Sequence, residues 1–141
     1  MALELEMMQR VGRIYRTWVR LFESEVGIPG VRWRILLALG DEPVSQKQLV
    51  SSLDVDAATL TRHVKAMETE DWVKRSMDQN DNRVTNVLLT EKGREFRAET
   101  WVRRDAFLAK ITLGLPEDEI HVLIATLDKI QARLCHVQFS L

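Results

Sequence analysis

Residues 71–93 read DWVKRSMDQNDNRVTNVLLTEKG and differ in pattern from the rest of the chain. Two short runs with alternating, β-branched character, DWVKRSM and RVTNVLLT, flank the polar tip 78-DQNDN-82. The pattern predicts a β-hairpin in a chain whose other segments have mostly helical spacing. Thr90, at the end of the second run, is expected to cap a long helix.

The residues before the hairpin begin with a strong helix-start signal. Ser45 and, three residues later, Gln48 form a capping-box pattern, which predicts a helix over about 46–53. At the positive end of that helix, Ser45 and Gln46 are candidates to donate hydrogen bonds to a phosphate. Capping alone explains Ser45 equally well.

A second short helix follows after a break of only a few residues. It is expected over about 57–70, with Asp56 or Asp54 as its cap. Its buried face should be the apolar stripe formed by Leu60, Val64 and Met67. Two helices joined this tightly indicate a helix-turn-helix. Because a two-stranded ribbon follows at once, the sequence predicts a winged helix.

Longer helices flank this motif on both sides. We expect helices over about 4–26 and 31–40 before it, about 91–112 after it, and a last helix with Pro116 at its first position. The first and last helices carry apolar residues spaced by four and three: Met7, Val11, Ile14, Trp18 and Leu21, then Leu123, Leu127, Ile130, Leu134 and Val137. Such stripes indicate faces that pack against other helices.

Composition limits the classes of function. The 141 residues are 45% hydrophobic and 29% charged, which is typical of one globular domain. The net charge of −1 excludes a protein that is basic over its whole surface. Any binding to nucleic acid must therefore come from the placement of charges rather than from their sum.

The same sequence predicts a cytoplasmic protein. No apolar run approaches the length of a membrane span. The N-terminal MALELEMMQRVGR has acids near its start and no apolar core, which argues against a signal peptide. The single cysteine, Cys135, permits no internal disulfide, in agreement with a reducing compartment.

The segment VKRSMDQNDNRVTNVLLTEKG resembles the wing of the MarR family of transcriptional regulators. The family pattern has a basic residue at the strand start, Asp-x-Arg at the tip, then a valine and Leu-Thr-x-x-Gly. The matching positions here are Arg75, Asp81, Arg83, Val87, Leu89, Thr90 and Gly93. The stretch VDAATLTRHVKAMETEDWVKR is similar to the family's recognition helix, and SlyA-like regulators look the most similar branch.

The resemblance implies a mainly α fold with a small β wing, that is, a winged helix-turn-helix with N- and C-terminal dimerisation helices. It covers the whole chain, 1–141, as one domain. Residues 1–30 and 91–141 are expected to form the dimerisation helices, and 31–90 the DNA-binding lobe.

Two positions depart from the family pattern. The wing tip has Asn82 between Asp81 and Arg83, where the family often has a second arginine. The end of the recognition helix has Asp71, where the family usually has glycine. Because aspartate tolerates the left-handed backbone conformation better than most residues, the turn is expected to survive.

The recognition helix carries the candidate base contacts. Thr59, Thr61, Arg62 and Lys65 lie in its N-terminal half, and the acidic residues gather at its far end. Arginine can read guanine through two hydrogen bonds, and threonine can contact bases or phosphates. The alternative is an ordinary solvated helix face.

The wing tip carries the second candidate contact. Arg83 suits a narrow minor groove because its cation meets enhanced negative potential there. Asp81 is expected to orient the guanidinium through a charge-assisted pair, and Arg75 to brace the wing at its base. The alternative for Asp81 and Arg83 is an exposed ion pair in a turn.

Four tryptophans, Trp18, Trp33, Trp72 and Trp101, are candidates to line a cavity, with core packing as the alternative. By resemblance, such a cavity would take a phenolic or other small aromatic acid. Its expected lining is Trp18, Trp33 and a basic residue, Arg16 or Arg20.

The sequence lacks a glycine-rich phosphate loop and a nucleophile elbow. His63, His121, His136 and Cys135 have no metal-ligand spacing, so no metal, cofactor or enzymatic activity is expected. We expect a homodimer that binds double-stranded DNA at a pseudo-palindrome, responds to a small aromatic effector and does not contact membranes. The alternative is a winged helix used only for protein–protein contact.

Overall fold

The computed structural model describes residues 2–140. The helices are α1 (Leu3–Val26), α2 (Gly30–Ala38), α3 (Gln46–Leu53), α4 (Ala57–Thr69), α5 (Glu91–Ile111) and α6 (Glu117–Ser140). The strands are β1 (Val44–Ser45), β2 (Val73–Met77) and β3 (Thr85–Leu89). This mainly α architecture with a small antiparallel sheet confirms the predicted winged helix-turn-helix.

Two predicted helix ends differ from the structure. Helix α2 ends at Ala38 instead of near residue 40, because Leu39 already has an extended backbone (φ −88°, ψ 123°). Helix α6 begins at Glu117, so Pro116 precedes the first helical residue, and its carbonyl accepts the N–H of Ile120. The other helix bounds lie within one residue of the prediction.

Side-chain caps fix the starts of the two short helices. The Ser45 hydroxyl accepts the N–H of Gln48, and the Gln48 side chain accepts the N–H of Ser45, which confirms the capping box. Asp56 caps α4 by accepting the N–H of Thr59. Asp54 instead follows the end of α3, in the left-handed conformation. Of the two caps that the sequence predicted for α4, Asp56 is therefore the correct one.

The sheet has the strand order β1-β3-β2, and all its pairs are antiparallel. Strands β2 and β3 form the predicted hairpin, with Val73 opposite Leu89 and Met77 opposite Thr85. The third strand, β1, was not predicted, because two residues are too short for any alternation to show. Ser45 of β1 pairs with Asn86 and is directly followed by α3, so the sheet sets the position of that helix.

One cluster of buried apolar side chains joins helices α1 to α5 and strands β2 and β3. Its members are Phe22, Val26, Ile28, Ile35, Leu36, Leu39, Leu49, Leu60, Val64, Met67, Val73, Val87, Leu89 and Phe107. The stripe of α4 is fully buried within it, as its spacing predicted. At roughly 1.5–3 kcal/mol per buried large apolar side chain, this cluster dominates the stabilisation of the fold.

The junction between the recognition helix and the wing is tightly fixed. Asp71 has the expected left-handed backbone (φ 62°). Thr90 caps α5 by accepting the N–H of Gly93, and its hydroxyl also donates to the Asp71 carbonyl. The ring of Trp72 stacks on Phe96 of α5 at 4.0 Å. These contacts anchor the base of the wing to α5.

The chain divides into two compact units, and the division falls after Phe107. In the second unit, none of the described α6 side chains is buried. In the first, α1 buries Phe22 and Val26, whereas Ile14 of the predicted stripe is 69% exposed. The proposed split into dimerisation segments and a DNA-binding lobe stays a prediction.

Within residues 2–140, no helix is both long and apolar enough to cross a membrane. The expected cytoplasmic location stays a prediction.

Candidate nucleic-acid interface

One face of α4 presents polar and basic side chains to solvent. Thr61, Arg62 and Lys65 line a shallow groove together with Ala57 and Ala58. Arg62 and Lys65 are exposed, whereas the opposite face of the helix is buried in the core. The two alanines leave room between these side chains. An edge of a base pair can therefore approach this face closely.

Thr59 lies apart from that face and belongs to the helix cap. Its hydroxyl donates to Asp56 Oδ2 at 2.7 Å, and its N–H donates to Asp56 Oδ1 at 2.7 Å. The backbone hydrogen bond from Thr59 is the main cause that lowers the pKa of Asp56, followed by the hydroxyl. Thr59 was expected to contact DNA, but in this structure its donor group is already engaged.

The start of α3 touches the recognition helix through Gln46. Its Nε2 lies 3.5 Å from Thr61 Oγ1, so it supports one of the groove residues. Its Oε1 is buried and accepts no hydrogen bond from the residues that the structure describes. Ser45 is occupied by the capping box. The two residues therefore shape the surface beside α4 as well as presenting the positive end of α3.

The wing tip brings Asp81 and Arg83 together. Asp81 Oδ1 accepts from Arg83 Nε at 3.1 Å and from the Arg83 N–H at 3.0 Å, and Arg83 Nη2 donates to Asp81 Oδ2 at 3.3 Å. The hydrogen bond from the Arg83 side chain is the largest cause that lowers the pKa of Asp81. The Arg83 side chain remains 87% exposed, so its cation is oriented yet still accessible.

Asp78 shapes the turn that carries this pair. It accepts hydrogen bonds from the N–H groups of Asn80 and Asp81 and from the side-chain amide of Asn86. These bonds lower the pKa of Asp78, the largest contribution coming from Asn86. The sequence reasoning did not single out Asp78, although aspartate at the start of a polar turn is a recognisable signal.

Arg75 links the wing to the end of the recognition helix. Its Nη2 donates to Glu68 Oε1 at 3.0 Å, and its own N–H donates to Glu68 Oε2 at 3.2 Å. The side-chain bond from Arg75 is the main cause that lowers the pKa of Glu68. This geometry agrees with a bracing role for Arg75, and it neutralises an acidic residue near the groove.

A cleft of about 350 Å³ lies between α1 and α2. It is lined by Tyr15, Trp18, Val19, Phe22, Glu23, Gly30, Val31, Trp33 and Arg34. The Trp33 Nε1–H is buried and has no acceptor among residues 2–140. Arg16 or Arg20 was expected in the lining but neither contributes to it, and Arg34 supplies the cation instead.

The other two tryptophans, Trp72 and Trp101, lie outside the cleft. Trp72 stacks on Phe96. The guanidinium groups of Arg97 and Arg104 lie 5.0 and 5.4 Å from the ring centroid of Trp101.

Several arginines that the sequence did not single out tie the helices together. Arg32 Nε donates to His63 Nδ1 at 3.2 Å, and Arg34 Nη1 donates to the Leu53 carbonyl at 2.9 Å. Two arginines of α5 bind the carboxyl ends of other helices, Arg97 at Leu39 and Arg103 at Val26. Their partners are far away in sequence, so no local pattern could have indicated them.

Comparison with known proteins identifies the family. A model described as the MarR family matches residues 26–83, from the end of α1 to the wing tip. Over 119 residues the chain is 30% identical to an uncharacterized HTH-type transcriptional regulator, YdgJ of Bacillus subtilis, covering 83% of this chain and 72% of that protein. The chain belongs to the MarR family. It is therefore similar to transcriptional regulators over most of its length, as the wing motif predicted.

Solved structures of the MarR fold superpose on nearly the whole chain. A cysteine-to-serine mutant of E. coli MarR complexed with operator DNA has a TM-score of 0.79 and 22% identity, covering 92% of this chain and 99% of that one. Bordetella bronchiseptica BpsR, whose DNA binding is regulated by 6-hydroxynicotinic acid, has a TM-score of 0.80 and 21% identity, covering 93% and 96%. At this identity they confirm the fold. The SlyA-like branch stays a prediction.

Proposed function

We propose that this MarR-family regulator binds a pseudo-palindromic operator as a homodimer and that a small aromatic ligand modulates the binding. The observation that carries the proposal is the polar face of α4, with Thr61, Arg62 and Lys65, together with a wing tip whose Arg83 is oriented by Asp81. Two such surfaces suit two successive major grooves, roughly 34 Å apart, with the wings in the flanking minor grooves.

Charge placement supports DNA binding despite the net charge of −1. Lys65 and Arg62 are exposed on the groove, whereas Glu68, the acidic residue one turn further along, is engaged by Arg75. The surface that would meet phosphates is thus locally positive. The E. coli MarR mutant, which has the same fold, was solved in complex with operator DNA.

Exposed apolar surface supports the homodimer. Leu123, Leu134 and Val137 of α6 are each more than half exposed, and Leu3 and Ile14 of α1 are still more exposed. A monomer rarely leaves so many large apolar side chains in water. Pairing with a second copy of the chain would remove such side chains from water.

The cleft supports a ligand with one aromatic ring and one acceptor group. Phe22, Trp18 and Trp33 supply aromatic walls, with Phe22 and Trp33 edge to face at 4.9 Å. Arg34 supplies a cation that would pair with a carboxylate on the ligand. The ligand can regulate DNA binding only if its affinity differs between the bound and free conformations.

A binding experiment tests the DNA proposal. Genomic fragments that the protein retains are sequenced for a shared palindrome, and the affinity for that duplex is measured over a range of salt concentrations. Arg83→Ala should weaken binding to nearly all sequences and reduce the salt slope by about one, while Arg62→Ala should cost about 1–3 kcal/mol and relax base preference. Arg10→Ala is the matched control, since Arg10 is also an exposed arginine paired with a carboxylate.

Unchanged affinity in both Arg62 and Arg83 variants would contradict the proposal. A wild-type protein without any salt-dependent affinity for duplex DNA would favour the alternative, a winged helix that contacts only proteins.

A further inference from the structure

Among residues 2–140, one hydrogen bond between side chains connects α2 to the recognition helix. Arg32 of α2 donates its Nε–H to Nδ1 of His63 on α4, at 3.2 Å, and both residues are half-buried. His63 does not line the DNA-facing groove of α4. The bond therefore concerns how α4 is held and not a direct contact with DNA.

The acceptor in this bond exists in only one protonation state of His63. A neutral imidazole can accept at Nδ1, but a protonated one carries N–H on both nitrogens and accepts nothing. Burial is the largest cause that lowers the pKa of His63, followed by the charges of Arg32 on α2 and Arg62 on α4. Helix α3 and strand β2 also pack against α4, but no charged group among their described residues contributes to the lowered pKa of His63.

We propose that Arg32 and His63 are a positioning pair that fixes the recognition helix on α2 while His63 is neutral, and that protonation of His63 releases the helix and weakens operator binding. Once protonated, His63 would form a cluster of three cations with Arg32 and Arg62. Repulsion within that cluster displaces Arg62, which is also a proposed base contact. The inference rests on the proposed DNA binding.

The same pair gives the ligand cleft a route to the DNA surface. Val31 and Trp33, the neighbours of Arg32 in the chain, both line the cleft. A ligand that shifts the start of α2 therefore moves the donor of the bond to His63. Ligand binding in the cleft can therefore affect the recognition helix only to the extent that it changes the hydrogen bond between Arg32 and His63.

The test compares operator affinity between pH 8 and pH 5, at constant ionic strength, for the wild type and His63→Asn. The asparagine amide oxygen can accept from Arg32 in place of Nδ1, and it does not titrate. We expect equal affinities at pH 8, a loss of about tenfold in the wild type at acid pH, and a flat profile for His63→Asn. His121 and His136 are present in both proteins, so their titration cannot produce the difference.

Arg32→Met provides a second variant and a readout that needs no DNA. NMR titration of the free protein should show a higher pKa for His63 in this variant, because a donor and a positive charge are lost. Its operator affinity should already be low at pH 8 and change little with pH.

Each other outcome overturns the inference. An unchanged pKa of His63 in Arg32→Met means that the pair does not form in solution. A wild-type affinity that rises at acid pH and is flat in His63→Asn makes His63 a phosphate contact instead. Identical pH profiles for both proteins place the titrating group elsewhere. Absence of DNA binding by the wild type at pH 8 defeats the proposed function itself, and the NMR result then still decides whether the pair exists.

Discussion

Gly93 marks the closest approach between the wing and α5. It is buried in the first turn of that helix, and a Cβ added there would overlap the backbone carbonyl of Trp72 and crowd Leu89. The Trp72 carbonyl lies in the turn between α4 and β2 and accepts the N–H of Thr90, so it cannot rotate away as the end of a side chain can. Only glycine allows the helix to start so close to the wing.

Gly93→Ala should therefore lower the free energy of unfolding by about 2 kcal/mol or more, because the backbone at Trp72 must shift. The measurement is chemical denaturation, with Gly40→Ala as the control. Gly40 has open space where its Cβ would stand. Equal stability of the two variants would show that the junction is looser than the structure indicates.

Individual residues differ in how much the sequence reveals about them. The contact between Asp81 and Arg83 was predictable because both lie in one short turn. The left-handed Asp71 was predictable because the family usually has glycine at this position. Thr59 was expected to contact DNA, and nothing in its spacing shows that Asp56 takes its hydroxyl. The bond between Arg32 and His63 joins residues 31 positions apart, so it depends on tertiary packing alone.

At the scale of elements, Arg75 and Glu68 join the wing to the end of the recognition helix. The guanidinium contacts both carboxylate oxygens, and the two side chains are only about one third exposed (31% and 37%). A planar guanidinium on a carboxylate favours one relative orientation of the two elements. The pair thus fixes the wing at the angle set by α4.

A double-mutant cycle with Glu68→Gln and Arg75→Met should show a coupling energy of about 0.5–1 kcal/mol in unfolding experiments. The same variants should weaken operator binding, because the wing carrying Arg83 loses its fixed angle. A matched cycle on Glu6 and Arg10, an exposed pair in α1, serves as the control and should leave DNA affinity unchanged. Wild-type affinity in the Glu68 and Arg75 variants would exclude a bracing role.

The order of elements was largely predictable because each boundary has its own local signal. Ser45 and Gln48 mark the start of α3, and Thr90 marks the start of α5. Strand β1 had no such signal, since its two residues are defined only by pairing with β3. The aromatic walls of the cleft, Trp18 and Trp33, were predicted. Its cation comes from Arg34 on α2, which was not predicted because only the packing of the helices determines which arginine reaches the cleft.

For the whole molecule, the main unexplained feature is the apolar surface of the terminal helices. Leu134 belongs to the predicted stripe of α6 and is 52% exposed. If a second chain covers this stripe, a charge placed in it must be buried without a partner, which is strongly unfavourable.

Leu134→Glu should therefore shift the protein from dimer to monomer at micromolar concentration in sedimentation experiments, and operator affinity should fall with it. Lys129→Glu is the control, because Lys129 lies on the same helix away from the stripe and is exposed. A wild-type protein that sediments as a monomer at micromolar concentration would reject the dimer directly.

The pairing of Ser45 with Asn86 has a consequence for protein engineering. Ser45 is at once a strand residue bonded to the wing and the cap of α3. If a wing from another regulator is grafted onto this chain, the residue that pairs with Ser45 of β1 changes, and with it the start of α3. Chimeras should transplant Val44 and Ser45 together with residues 72–93. Swaps limited to the hairpin tip, 78–84, should be the ones that exchange DNA preference without disturbing the helices.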